Sequence, residues 1–145
     1  MRIFTIGFAR KSAEEFFKLL KQNEIQRLID IRLRNTNQLA GFTKKADLKF
    51  FLKEILGCEY HHFEFLAPTE QIIKAYRKTD DWVSYEKRYL QLLEGRKVAE
   101  RLDKKFFEER TCCFLCSEPT PKHCHRRLVA EYLANLWGDV EIIHL

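Results

Sequence analysis

The sequence lacks the features that distinguish membrane, secreted and repeat proteins from ordinary globular proteins. It has no apolar run near the roughly 18 residues that span a bilayer. Charged residues, among them Arg10 and Glu14, stand where a secretory leader would be apolar. Internal repeats, low-complexity tracts and Gly/Ser linkers are also missing from the sequence. These absences predict one domain over residues 1–145, in the cytoplasm and not at a membrane.

The composition is that of a globular protein with a small excess of basic residues. Hydrophobic residues make up 46% and charged residues 32% of the 145 positions, and a chain of this length buries roughly two-thirds of its unfolded surface. The formal net charge of +5 mildly favours polyanionic partners, either phosphorylated small molecules or nucleic acid. The five cysteines are an odd number, and without an export signal we expect reduced thiols.

Short apolar segments alternate with helical patterns along the chain. Strands are predicted at RIFTIG, RLIDI, EYHHFEF, TCCFLC and VEIIHL. The segment 32–41 is polar and predicts irregular structure. Because strands joined by helical crossovers form parallel sheets, the alternation predicts an α/β fold. We expect a three-layer sandwich, with a mostly parallel sheet of about five strands and helices on both faces.

Local signals predict several helix boundaries. Ser12 and Glu15 form a capping box at the start of the first helix. The segment 99–110 predicts one continuous helix. Near the end of the chain, a threonine followed by proline predicts a long last helix from Pro121 to Trp137.

Polar and ionisable residues recur where four of the predicted strands end. From the first of these strands to the fourth, they are Thr5 and Gly7, Asp30 and Arg32, His62 and Glu64, and Cys116 and Glu118. Ligands of parallel sheets bind beyond the carboxyl ends of the strands, so we predict a crevice there. A buried carboxylate needs a partner, and Arg32 lies on the same side of the strand as Asp30. This pair is open to a purely structural interpretation as well as a functional one.

The stretch LCSEPTPKHCHRR, residues 115–127, joins the fourth of these strands to the last helix. The helix has an apolar stripe, and stepping that stripe back by four residues reaches Cys124 and His125. Both side chains are therefore predicted to face the sheet. The simplest role for Cys124 there is that of a small packed residue.

Three kinds of chemistry fit the same stretch. A metal site would use Cys116, Cys124 and His125. Its weakness is that Cys113 and Cys116, the C-x2-C pair, point to opposite faces of a strand. A cysteine nucleophile would use Cys116 in the strand-to-helix turn, but the loop lacks glycine and has lysine where a phosphate loop of that kind needs arginine. An anion site would use Arg126 and the backbone donors of the helix N-terminus, and the residues favour it.

Four segments together resemble the domain-of-unknown-function family 488. They are TIG, LIDIR, LCSEPTPKHCHRRLVAEYL and VEIIHL, and they follow nearly the whole chain in order. The resemblance implies a small cytosolic single-domain α/β protein of bacteria or archaea, without naming its reaction. The shared polar positions of the family correspond to Thr5, Gly7, Asp30, Arg32, Cys116, Glu118, Cys124, His125 and Arg126. Many members have histidine after TIG, whereas this chain has Phe8. This difference either argues against a catalytic scheme that needs a general base there or shifts that role to His62 or His125.

The combined prediction is an enzyme or binding protein for a phosphorylated ligand, such as a nucleotide or a nucleic acid end, at the carboxyl edge of the sheet. The ligand-binding candidates are Thr5, Gly7, Arg32, Arg126 and His62. The catalytic candidates are Asp30, Glu118, Cys116 and His125. One alternative is a non-catalytic nucleic-acid-binding module. Another is a metal-binding protein that uses Cys116, Cys124 and His125. The cofactor and the oligomeric state stay open.

Overall fold

A computed structural model, which describes residues 1–36 and 41–145, has one five-stranded parallel sheet. The strands are β1 (Arg2–Gly7), β2 (Arg27–Asp30), β3 (Glu59–His62), β4 (Cys112–Cys116) and β5 (Glu141–His144). Their order across the sheet is β3-β2-β4-β1-β5. The predicted α/β fold is confirmed, and all five strands lie within the predicted segments. The third is shorter than predicted, because Glu64–Leu66 form a 3-10 turn. Part of the segment predicted to be irregular, residues 37–40, lies outside the described residues.

The described ranges contain seven α-helices. These are α1 (Ala13–Gln22), α2 (Lys45–Phe51), α3 (Glu70–Thr79), α4 (Trp82–Gly95), α5 (Val98–Arg101), α6 (Lys104–Glu109) and α7 (His125–Trp137). A π-helical stretch, Leu52–Leu56, prolongs α2 and ends at Gly57. As predicted, Ser12 caps α1, because its side chain accepts a hydrogen bond from the backbone N–H of Glu15. Among the described residues, no helix is long and apolar enough to cross a membrane.

The helices cover both faces of the sheet, so the three-layer arrangement is confirmed. The core between the sheet and α1–α2 includes Phe16, Leu28 and Leu115. The core between the sheet and α3–α7 includes Tyr89 and Phe114. Because successive strand residues alternate between faces, Cys116, two positions after Phe114, lies on the same face as α4 and α7. Cys116, the last residue of the central strand β4, therefore lies next to His125 at the N-terminus of α7.

The last helix begins four residues later than predicted. Thr120 and Pro121 do not start it. The N-cap is Cys124, whose backbone is extended, with φ −142° and ψ 138°. The preceding loop is held outside the helix by α7 itself, since Arg126 Nη1 donates to the Glu118 carbonyl at 2.5 Å and Arg127 Nε donates to the Lys122 carbonyl at 3.2 Å. These tertiary contacts override the local helix-start signal.

The segment 99–110 forms two short helices rather than the predicted single one. The break is at Leu102, which is buried in the core, and at Asp103, which caps α6. The Asp103 side chain accepts a hydrogen bond from the Lys105 N–H at 2.9 Å. Burial of Leu102 and the new cap outweigh the continuous helical pattern of the sequence.

Candidate functional site

A cleft of about 710 Å³ lies at the carboxyl ends of β2 and β4. It is lined by Arg32, Leu33, Arg34, Thr36, Pro68, Glu70, Ile73, Tyr76, Arg77, Tyr85, Cys116, Ser117, Glu118, His123, Cys124 and His125. The cleft lies at the predicted edge of the sheet, but of the four strand ends that were expected to form it, only those of β2 and β4 contribute lining residues. Of the predicted site residues, the structure brings four together in this lining: Arg32, Cys116, Glu118 and His125. The other predicted site residues are not part of the lining: Thr5, Gly7, Asp30, His62 and Arg126.

The lining includes a buried group of two thiols and an imidazole. The sulfur atoms of Cys116 and Cys124 and a ring nitrogen of His125 all lie within 4.8 Å of one another. Cys116 is 4%, Cys124 2% and His125 7% exposed. His125 Nδ1 is 3.5 Å from Cys116 Sγ, and His125 Nε2 is 2.8 Å from the Ile31 carbonyl oxygen. A carbonyl oxygen can only accept, so Nε2 carries a proton and Nδ1 is the atom turned toward sulfur.

The three groups shift each other's protonation. Hydrogen bonding to the Cys124 thiol and the neighbouring His125 hold the pKa of the Cys116 thiol well below its usual range, against the effect of burial. Burial raises the pKa of the Cys124 thiol, and its contact with Cys116 raises it further. Burial favours neutral imidazole, but Cys116 outweighs it and raises the pKa of His125. The directions of these pKa shifts favour the ionised forms of Cys116 and His125 and the neutral thiol of Cys124.

Arg126 stabilises the loop between Cys116 and Cys124 and is not part of the cleft lining. Its side chain is fully buried. Besides its bond to Glu118, it donates from Nε to Thr5 Oγ1 at 3.3 Å, and its Nη1 lies 3.8 Å from Cys124 Sγ. Its Nη2 is buried without a hydrogen-bond partner among the described residues. Thr5 also contacts His144 Nδ1 at 2.6 Å, so both Thr5 and Arg126 are tied into the interior.

Gly7 lies against the same loop. Only glycine fits at this position, because the backbone of the loop approaches it too closely to leave room for a Cβ atom. A Cβ atom at this position would lie 1.6 Å from the Glu118 carbonyl oxygen and 2.6 Å from Arg126 Nη1. The next two residues pair with the loop, through Phe8 N–H to the Cys116 carbonyl at 3.3 Å and Ala9 N–H to the Ser117 carbonyl at 2.9 Å. Gly7 therefore lets β1 hold the loop in register.

Asp30 and Arg32 form the buried ion pair that the sequence indicated. Arg32 Nε and Nη2 donate to the two carboxylate oxygens of Asp30, each at 2.8 Å. Asp30 also accepts from Tyr60 Oη at 2.5 Å and from Asn35 Nδ2 at 3.2 Å. Burial opposes its charge, but the hydrogen bonds and charge of Arg32 lower the pKa of Asp30. The Asp30 carboxylate already accepts several hydrogen bonds, and its two bonds with Arg32 hold the Arg32 guanidinium in a fixed position.

One donor of that guanidinium is left over. Arg32 is 2% exposed, and Nη2 also donates to the Thr43 carbonyl at 2.7 Å. Its Nη1 is buried without a hydrogen-bond partner among the described residues. The ring centroid of Phe8 lies 5.5 Å from the Arg32 Cζ. His62 contacts the Arg32 carbonyl through Nε2 at 3.1 Å and is outside the cleft lining.

The wall of the cleft contains residues that the strand-end argument did not identify. Tyr76 and Tyr85 come from α3 and α4, and Arg77 follows Tyr76. At the rim the ring of His123 stacks on that of Trp82, with centroids 4.8 Å apart and planes at 20°. The sequence marks these residues as helical and aromatic. It does not tell which helix face lies over the sheet edge, because that depends on how α3 and α4 pack.

Comparison with known proteins gives one match. The family model described as a domain of unknown function, DUF488, matches residues 12–133. Neither the curated proteins nor the solved structures contain a match. The matched range includes β2, the cysteine-containing loop and most of α7, and thus Arg32 and the Cys116, Cys124 and His125 group. The chain belongs to the DUF488 family.

Proposed function

We propose that the cleft is a binding and reaction site for a small phosphorylated organic molecule of about nucleotide size. Arg32 carries the proposal, because it is one of the residues that line the cleft and its Nη1 is buried without a hydrogen-bond partner among the described residues. Such a donor costs about 1–3 kcal/mol when left unpaired. A phosphate oxygen of the ligand would accept its hydrogen bond, and the pairing with Asp30 already holds the donor in place.

Charge and shape support the same ligand class. Arg34 and Arg77 also line the cleft. Arg34 is paired with Glu70, 2.7 Å away, so the positive charge that would attract an anion comes from Arg77. The opposite wall offers the rings of Tyr76 and Tyr85 together with Ile73, which suit an aromatic or aliphatic portion of the ligand. The volume of about 710 Å³ lies within the range typical of small-molecule sites.

The catalytic candidates take different roles in this proposal. Glu118 is exposed in the cleft, where its carboxylate is available for proton transfer. Cys116 and His125 line the same cleft, 3.5 Å apart, where they could act either as a nucleophile with its base or as metal ligands. Asp30 acts as a positioning residue for Arg32, since its oxygens already accept several hydrogen bonds. Arg126, behind the lining, orders the loop rather than holding the anion.

The setting that we infer is the cytoplasm. All five cysteines are free and buried, which supports a reducing compartment. The alternative function is a non-catalytic nucleic-acid-binding module that uses exposed basic residues. Such a module would lose affinity steeply with salt, and neither Arg32→Lys nor Glu118→Gln would change its binding.

Calorimetric titration with adenosine monophosphate, adenosine and inorganic phosphate tests the proposal. We expect the monophosphate to bind at least about tenfold more tightly than adenosine, since a charge-assisted hydrogen bond contributes about 1.5–3 kcal/mol. Arg32→Lys should remove that preference because it eliminates Nη1. The matched control is Arg88→Lys, an exposed arginine of α4, which should change nothing.

Two outcomes would contradict the proposal. In one, the monophosphate and adenosine bind the wild-type protein equally. In the other, a folded Arg32→Lys protein, checked by circular dichroism, keeps the full preference. If Arg32→Lys does not fold, the comparison of the three ligands on the wild-type protein decides the question without it.

A further inference from the structure

We infer that Cys116, Cys124 and His125 are the protein ligands of a zinc ion whose remaining coordination position faces the cleft. This inference rests on the proposed assignment of the cleft as the functional site, but not on the ligand being phosphorylated. It selects one of the two chemistries that the floor of the cleft allows, metal binding rather than nucleophilic attack by Cys116.

The first argument is the donor set and its spacing. Two thiolates and one imidazole suit zinc, and three protein ligands with one open position are typical of catalytic zinc sites. Zinc–sulfur and zinc–nitrogen bonds of about 2.3 and 2.0–2.1 Å at tetrahedral angles place the two donor atoms about 3.6 Å apart. The observed Cys116 Sγ to His125 Nδ1 distance is 3.5 Å, and Cys124 Sγ lies within 4.8 Å of both.

The second argument is the orientation of the imidazole. Metal-binding histidines donate their other ring N–H to a carboxylate or carbonyl, which fixes the ring and leaves the ligating nitrogen unprotonated. His125 Nε2 lies 2.8 Å from the Ile31 carbonyl, so the ring is held with Nδ1 toward the sulfurs. Ile31 follows β2, the strand next to β4 in the sheet.

The third argument is Cys124, which a Cys–His nucleophile pair does not need. It occupies the N-cap of α7, where serine, threonine, aspartate or asparagine is preferred, and its side chain makes no capping hydrogen bond. The sulfur instead lies beside Cys116 and 3.8 Å from Arg126 Nη1. Two thiolate ligands would neutralise the charge of Zn²⁺.

The open position follows from the cleft lining. All three ligand residues line the cleft, while the other side of the His125 ring contacts the Ile31 carbonyl and Tyr89 of α4. Water or a ligand oxygen in the cleft could therefore complete the coordination. Zinc in that position would supply Lewis-acid chemistry at the floor, next to Glu118.

Metal analysis of the full-length protein tests the inference. After dialysis with excess zinc and removal of free metal, we expect about one zinc ion per chain, measured by mass spectrometry. Cobalt substitution should give thiolate-to-cobalt charge-transfer absorption. Cys124→Ala should lose at least about nine-tenths of the metal. The control is Cys113→Ala, which should keep the metal, because Cys113 is a buried cysteine on the same strand as Cys116 but with its side chain on the other face of the sheet.

Alkylation of the wild-type protein gives a readout that needs no variant. Zinc should protect Cys116 and Cys124 from iodoacetamide, and a chelator should restore the reaction, as mapped by peptide mass spectrometry. Zinc below about a tenth of an equivalent, with Cys116 alkylated equally with and without zinc, would overturn the inference and favour a nucleophile. Equal metal loss in both cysteine variants would also overturn it. Zinc binding is measured without any phosphorylated compound, so its failure is separate from failure of the proposed function.

Discussion

Gly7→Ala should strongly destabilise the protein, because the added methyl group meets backbone rather than a movable side chain. The new Cβ would lie 1.6 Å from the Glu118 carbonyl oxygen and 2.7 Å from its carbon. To relieve the clash, the loop after β4 must move away from β1. That movement strains three hydrogen bonds, those of Phe8 and Ala9 to the loop and that of Arg126 to Glu118.

The magnitude follows from overpacking. Extra methyl groups in a well-packed interior cost about 1–3 kcal/mol, and the strained hydrogen bonds put this site at the upper end. With a urea m value of about 2 kcal/mol/M, the unfolding midpoint should fall by about 1 M or more. Urea titration followed by circular dichroism measures the shift.

Gly95→Ala is the matched control. Gly95 is the last residue of α4, and an added Cβ meets no atom within 4 Å. Because alanine is the better helix former, this variant should be unchanged or more stable by up to about 1 kcal/mol. A Gly7→Ala midpoint equal to that of the wild type would refute the reasoning, since it would mean that the loop does not approach β1 so closely.

Two further predictions concern the ion pair beside the cleft. Asp30→Asn should cost about 3–5 kcal/mol at neutral pH, because it leaves a buried guanidinium poorly paired. The pKa of Asp30 is lowered in the folded protein, so its contribution is complete above the unfolded pKa and is lost as the pH falls through the folded pKa. Urea titrations at neutral pH and at about pH 3 should show the gap to wild type narrowing, and a constant gap would contradict this. Tyr60→Phe removes the hydrogen bond to the Asp30 carboxylate and should cost about 1.5–3 kcal/mol. The double variant with Asp30→Asn should lose clearly less free energy of unfolding than the sum of the two single losses. Strict additivity would argue against a shared hydrogen-bond network.

Much of the fold could be predicted because its signals are local and repeated. Five apolar segments separated by helical patterns predict the strands, and the parallel pairing follows from the crossovers. The stripe of the last helix correctly predicted that Cys124 and His125 face inward, and both are buried. The Asp30–Arg32 pair followed from the cost of an unpaired carboxylate in an apolar strand.

Other features depend on contacts that no local pattern encodes. The threonine–proline signal placed the start of the last helix at Pro121, but Arg126 holds the loop and the helix begins at His125. That shift makes Cys124 an N-cap residue close to Cys116, a proximity that the spacing of the cysteines in the sequence does not predict. Similarly, the role of Gly7 depends on a carbonyl that is distant in sequence, at Glu118.

The central claim, that Arg32 receives the phosphate of a ligand in this cleft, is tested most directly by a crystal structure of the protein soaked in inorganic phosphate. The account predicts a phosphate oxygen within hydrogen-bond distance of Arg32 Nη1, about 2.7–3.0 Å. The phosphate should lie between Arg32 and the floor formed by Cys116 and His125. Phosphate ions bound elsewhere, with none in the cleft, would contradict it.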